Sequence, residues 1–296
     1  MSRIESPVGL SAQPGDAIHP RSRVAKPKGA EWILIVVVIL YAALLLGGPL
    51  LAITSGAISS GLMAMIRVLG SREALNALYL TLVIAVIVVI VNTVFGIIVA
   101  LVLVRDEFKG RRFLNGLVDL PFAVSPVIAG FMLILLFGRN GWFTWLIDAL
   151  NIRIVFAMPG MVLATTFIAL PFVVREVTLV LRHLGTEQEN AAYTMGAGYW
   201  RTFREITLPN IRWGLLYGIS LTFARAIGEF GAVLVVGGGV AKLTETSTLF
   251  IYRSLDDRNE VGAYAMALVL AMISFVVLLV MEYFKKYTQK TAKLSE

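Results

Sequence analysis

The chain has no cysteine. Disulfides, thiolate metal sites and thiol catalysis are therefore excluded. Histidine is nearly absent too. His19 and His183 are the two present, and neither sits beside a cluster of carboxylates, so no metal site is expected. Charge is scarce: Asp, Glu, Lys and Arg make up 15% of the 296 residues, where a soluble domain carries roughly 25%. The stretch "VGGGVAK" has the glycines of a phosphate loop, but Ala241 precedes Lys242 and Leu243 follows it. Without a Gly before the lysine and a Ser or Thr after it, the nucleotide-binding pattern fails. No cofactor is expected in this chain. Ser125 has no base in view, which argues against an intramembrane protease or acyltransferase.

What the chain has instead is apolar length. Hydrophobic residues make up 58% of it and the mean hydropathy is +0.81. A helix needs about 20 apolar residues to cross a bilayer. Runs of that kind are Trp32 to Thr54, Tyr79 to Val104, Gly116 to Phe137, Met158 to Leu181, Ile211 to Val236 and Val261 to Phe284. None alternates as a barrel strand would. The expected fold is an all-α integral membrane protein with six transmembrane helices. Residues 1–31, rich in Pro, Ser, Gly and Arg, read as a disordered basic tail. The run beginning at Trp32 exceeds the usual 7 to 15 residues of a signal core, so residues 32–54 read as an uncleaved first helix.

Loop charge orients the spans. Arg3, Arg21, Arg23, Lys26 and Lys28 precede the first. Arg105, Lys109, Arg111 and Arg112 follow the second. Arg175, Arg182, Arg201, Arg204 and Arg212 surround the loop after the fourth. Lys285, Lys286, Lys290 and Lys293 end the chain, within a basic tail at residues 285–296. The alternate loops hold fewer: Arg67, Arg72, Arg139, Arg153, Lys242, Arg253 and Arg258. The bias places both termini in the cytoplasm. It also accounts for the net charge of +7 without nucleic acid.

The loop "GTEQENAAYTMGAGYWRTFREITLPNIRWGLLYG" carries the most information. Thr186 and Glu189 have capping-box spacing. Gly196 and Gly198 allow a turn, a second short helix is expected from Tyr199 to Glu205, and Pro209 marks a bend before the next span. The pattern is a compact cytoplasmic knob at residues 186–209. An amphipathic linker lying in the headgroups is the alternative, with Trp200 and Arg201 as interfacial anchors. Gly196, nine residues, then Ile206, Leu208 and Pro209 resembles the EAA loop of ABC importer permeases: Glu-Ala-Ala, three residues, Gly, nine residues, Ile-x-Leu-Pro. Ala191 and Ala192 match. Asn190 stands where that pattern has Glu, and Glu189 precedes it, about 100° around a helix.

"LVDLPFAVSPVIAGFMLILLFGRNG", "LPFVVREV", "ITLPNIRWGLLYG" and "ARAIGEFGAVLVV" extend the resemblance over residues 75–284. They are similar to the sulfate/thiosulfate importer permeases, specifically the CysW-type subunit. The resemblance implies a type I importer permease fold whose cytoplasmic coupling helices dock on an ATPase. It implies two ABC ATPase subunits that bind ATP and Mg, and a second, related permease. It also implies a periplasmic or lipid-anchored sulfate-binding protein, and a location in the bacterial inner membrane. A molybdate or tungstate importer is the runner-up, then a stand-alone secondary transporter or channel.

Arg225 and Glu229 lie inside the fifth apolar run. Arg225 is 14 residues beyond Ile211, about 21 Å along a helix. At i, i+4 the two share a face and can pair, and an unpaired charge at that depth costs several kcal/mol. Two readings stay open: the pair lines or gates a pathway, or it fixes helix packing. "DLPFAVSPVIAG" has Pro121 and Pro126 framing Ser125. Interrupted helices of this kind line transporter pathways, so Ser125 and Pro126 join Arg225 and Glu229 as candidate pathway residues. Asp119 is expected near the inner surface without a role.

Overall fold

The computed structural model describes residues 29–59 and 61–293. Most of the expected basic tail, residues 1–28, lies outside the described residues. The chain divides into two compact units after Leu50. The first holds α1 (Gly29–Ala42), a π-helical stretch (Ala43–Gly47) and the start of α2 (Gly48–Ser59). Its side chains from Trp32 to Leu46 are apolar and largely exposed, as suits a helix whose solvent is lipid.

The second unit continues with α3 (Leu62–Leu69), α4 (Arg72–Arg105), α5 (Arg111–Ala123), α6 (Pro126–Phe137), α7 (Thr144–Leu150), α8 (Met158–Leu184), α9 (Glu187–Thr194) and α10 (Tyr199–Thr202). A π-helical stretch (Phe203–Thr207) leads into α11 (Leu208–Ile227), followed by α12 (Gly231–Gly237), α13 (Ser247–Asp256) and α14 (Glu260–Lys293). No strand occurs among the described residues. α4 is rich in Val and Ile, which are indifferent helix formers in water. In hydrocarbon its backbone must be satisfied internally, and that outweighs propensity. The Ser71 hydroxyl starts it, accepting a hydrogen bond from the Ala74 amide at 3.2 Å, with Glu73 in the first turn.

Trp32–Ser59, Arg72–Arg105, Met158–Leu184 and Glu260–Tyr283 are each long and apolar enough to cross a membrane. The third and fifth expected spans are not single helices. α5 and α6 meet at 113°, and the Tyr199–Ile227 helix meets α12 at 57°. Pro121 is not part of the first break; it is buried inside α5, and the chain turns at Val124 and Ser125, before Pro126. The Tyr199–Ile227 helix is not interrupted by Pro209. Phe203–Thr207 loosens into a π turn just ahead of it, which relieves the clash of a proline ring with the carbonyl four residues back.

α8 is the central helix, packed against α4, α11, α5, α6 and α12. Two apolar clusters mark its ends. Near Leu181 it meets Leu103, Val118 and Ile211. Near Met161 it meets Ile84, Ala129, Ile227 and Val233. α5 and the α9–α10 knob therefore lie at one end of the bundle and α6 and α12 at the other. Close approach depends on missing side chains. A Cβ at Gly96 would sit 2.6 Å from Val173, and one at Gly130 would sit 2.7 Å from the Ala232 carbonyl oxygen.

Gly130→Ala is expected to destabilise the protein by about 1–3 kcal/mol through overpacking of α6 on α12. Gly116→Ala, with open space around it, is expected to be neutral or stabilising. Thermal unfolding of the two variants in detergent checks the contrast.

Candidate functional site

The knob is built from α9 and α10. Gly196, at φ +87°, ends α9 in a conformation that L side chains avoid. The Gly196 amide donates to the Tyr193 carbonyl at 3.0 Å and the Ala197 amide to Ala192 at 3.0 Å. Ala192 is buried. Gly198 is extended and makes no such demand. The expected capping box does not form: Thr186 makes no cap hydrogen bond. Instead the Asn190 amide donates to the Thr186 hydroxyl at 3.4 Å, and Glu189 turns inward. Glu189 accepts from Arg105 Nη2 at 3.2 Å and from the Thr207 hydroxyl at 2.7 Å, and Arg105 Nε lies 2.9 Å from its other oxygen as an ion pair. Sequence spacing holds no sign of this pairing. Ala191, Pro209 and Asn190 stay exposed, and Ile206 and Leu208 are half-buried. The outer surface of the knob displays large apolar side chains, with Met195 82% and Trp200 69% exposed, beside the exposed Arg201–Glu205 ion pair.

At the other end of the bundle the two breaks adjoin. A Cβ at Gly231 would meet Pro126 and Val127, each at 3.2 Å. Ser125 and Pro126 thus lie beside the segment that carries Glu229. Glu229 is held from both its side chain and its carbonyl. Its carboxylate pairs with Arg225 Nη1 at 2.7 Å and accepts from the Ala232 amide at 3.1 Å, while its carbonyl accepts from the Thr248 hydroxyl at 2.7 Å. The Glu229 side chain is 2% exposed and that of Arg225 31%. The i, i+4 pair forms, but across a helix break and not along one helix. α11 stops at Ile227, and Glu229 supplies the first turn of α12 with an acceptor that the broken ladder lacks.

Two further ion-pair sites were not legible in the chain. Asp119 pairs with Arg175, whose Nη1 and Nη2 also donate to the side chain and carbonyl of Asn115 at 2.9 and 3.1 Å. This fastens α5 to α8. At the end of the bundle away from the knob, Arg253 of α13 reaches buried Glu245 at 2.6 Å and Glu73 at 3.2 Å, and Lys242 reaches Glu73 at 3.2 Å. The Glu245 carboxylate, hydrogen-bonded to Arg253, strengthens that guanidinium's hold on its proton. The network ties α4 to the α12–α13 loop.

Apolar spans, two broken helices that meet inside the bundle, and a protruding helical knob define a multi-pass membrane transport component. The chain belongs to the family of binding-protein-dependent transport system inner membrane components, whose sequence profile matches residues 92–290. It is 45% identical over 258 residues to the sulfate transport system permease protein CysW of Synechocystis sp., covering 87% of this chain and 94% of that one. It is 45% identical over 248 residues to the CysW of Escherichia coli K12, covering 84% and 85%. It is 42% identical to the chloroplastic sulfate permease 2 of Chlamydomonas reinhardtii, covering 88% and 74%. Its fold matches a chain of a bacterial alginate ABC transporter solved with a pentasaccharide-bound periplasmic protein. The TM-score is 0.73 at 17% identity, covering 88% of this chain and 94% of that one. A chain of the inward-facing MetNI methionine ABC transporter matches with TM-score 0.56 at 18% identity, covering 73% and 95%. The fold is thus that of ABC importer permeases.

Removing Arg225 leaves a buried carboxylate without its counter-charge. Arg225→Ala is expected to cost about 3–5 kcal/mol, and Arg225→Ala with Glu229→Gln distinctly less. Chemical or thermal unfolding of the purified variants checks the order.

Proposed function

We propose that this chain is a permease subunit of an ATP-driven importer that takes up sulfate or thiosulfate. The observation that carries the reading is the knob. It is held by Gly196, displays Met195, Tyr199 and Trp200 outward, and its second helix is continuous with the span that follows, Tyr199–Ile227. Such a helix is a lever. A protein gripping the knob moves the far end of α11, where Arg225 and Glu229 join the two breaks. The curated relatives are sulfate permeases, which supports the choice of anion.

Two ABC ATPase subunits, binding ATP and Mg, grip the knob of this chain and that of a second, related permease. The two permeases enclose the pathway, and a periplasmic or lipid-anchored sulfate-binding protein delivers the anion on the other side. The chain is embedded in the bacterial inner membrane with both termini in the cytoplasm, as the loop charges favour. Arg225, 31% exposed beside its buried partner, is the more accessible member of the pair. We assign it to the pathway wall and Glu229 to the hinge between α11 and α12. Ser125 and Pro126 form the facing hinge.

Reconstituted with these partners in liposomes, the protein is expected to take up labelled sulfate only with ATP, with thiosulfate and not molybdate competing. Uptake by this chain alone, without an ATPase, would favour a channel or secondary transporter. Gly196→Glu imposes about 1–3 kcal/mol of backbone strain at the knob. It is expected to abolish uptake while the protein still inserts; normal uptake by that variant would sink the assigned lever.

A further inference from the structure

Arg105 is the last residue of α4. Its guanidinium pairs with Glu189 of α9: Nε lies 2.9 Å from one carboxylate oxygen as an ion pair, and Nη2 donates to the other at 3.2 Å. The Thr207 hydroxyl, just before α11, donates to that second oxygen at 2.7 Å. The Arg105 and Glu189 side chains are 18% and 13% exposed, and Thr207 is buried. A hydrogen bond between a guanidinium and a carboxylate is among the stronger polar contacts, and partial burial limits screening by salt. Beside the pair lies a cavity of about 380 Å³ lined by Leu101, Tyr193, Tyr199 and Phe203, so little apolar packing backs it there.

Chain continuity joins the knob to α8 through Gly185, at φ +64°, and to α11 through the π turn. It does not join the knob to α4. Among the described residues, every polar contact between α4 and α9 runs through Arg105 and Glu189. A carboxylate bound inside its own chain is also withdrawn from the knob's outer surface. Asn190, one residue on, is the side chain left facing out.

We propose that Arg105, Glu189 and Thr207 form a clamp that makes α4 move with the coupling knob. Glu189 is a positioning residue within the permease and not a contact for the ATPase. The ATPase is met by the outer surface around Asn190, Met195 and Trp200. The proposal rests on the permease reading above. It gives the displaced glutamate of the loop a mechanical role. A push on the knob reaches α4 as well as α11, so the bundle turns as one body.

The test uses the whole transporter in liposomes, with labelled sulfate and ATP, and reads sulfate imported per ATP hydrolysed. Arg105→Gln and Glu189→Gln are each expected to lower that ratio by about 3- to 30-fold with the ATPase still bound. The charge swap Arg105→Glu with Glu189→Arg is expected to recover it to within about twofold. Because the chain has no cysteine, Arg105→Cys with Glu189→Cys can be bridged by a bifunctional thiol reagent, and bridging is expected to restore the ratio. Loss of ATPase binding in Glu189→Gln but not in Arg105→Gln, with no recovery in the swap, overturns the clamp. A working wild type matched by both single variants also overturns it, while leaving the permease reading intact. A wild-type complex without ATP-driven uptake overturns that reading and the clamp with it.

Discussion

Inside hydrocarbon a backbone amide has no water to turn to, so each interruption of a helix must bring its own acceptors. That constraint governs this protein at the break between α11 and α12. Glu229 meets it with one side chain, accepting from Ala232 at the start of α12 while paired with Arg225 at the end of α11. Thr248 closes on the same residue's carbonyl. The charge that looks costly inside an apolar run is what makes the break tolerable. The break in turn lets Gly231 lie against Pro126, so the two interrupted spans share one seam.

Polar fasteners do elsewhere what apolar contact cannot. Lipid tails are as apolar as leucine, so hydrophobicity gives a membrane helix little reason to prefer one neighbour. Small residues and ion pairs supply that preference. Asp119 and Arg175 choose α5 for α8, Glu73 and Arg253 choose α13 for α4, and Arg105 and Glu189 choose α9 for α4. Gly96 and Gly130 then allow backbones to close to distances a methyl group would forbid. Two of these ion pairs sit at the knob end of the bundle and one at the other end, and between them buried Asn92 of α4 donates to the Thr166 carbonyl of α8 at 3.2 Å.

Spans α4, α8 and α14 were legible because a long apolar run has no other stable form in a bilayer, and the knob was legible because Gly196 and the Ile206, Leu208, Pro209 spacing are local. Arg225 and Glu229 were legible as a pair because i, i+4 is a short-range relation. The breaks were only half legible. Pro126 marks one, with Pro121 staying inside α5, and Gly228 and Gly231 flank the other, but the angles of 113° and 57° are set by packing. The capping box at Thr186 fits local rules and fails because Arg105 and Thr207 offer Glu189 a better site than the backbone.

The order of residues along the chain therefore settled which segments are apolar helices, where the charged loops fall, and that a turn-bounded knob precedes the fifth span, since each of these follows from interactions within a few residues. It was the packing of helices that decided which charges meet. Arg105 and Glu189 are 84 positions apart, and Arg253 and Glu73 are 180 apart. A contact across that distance depends on how α8 gathers its neighbours, and no spacing rule carries it.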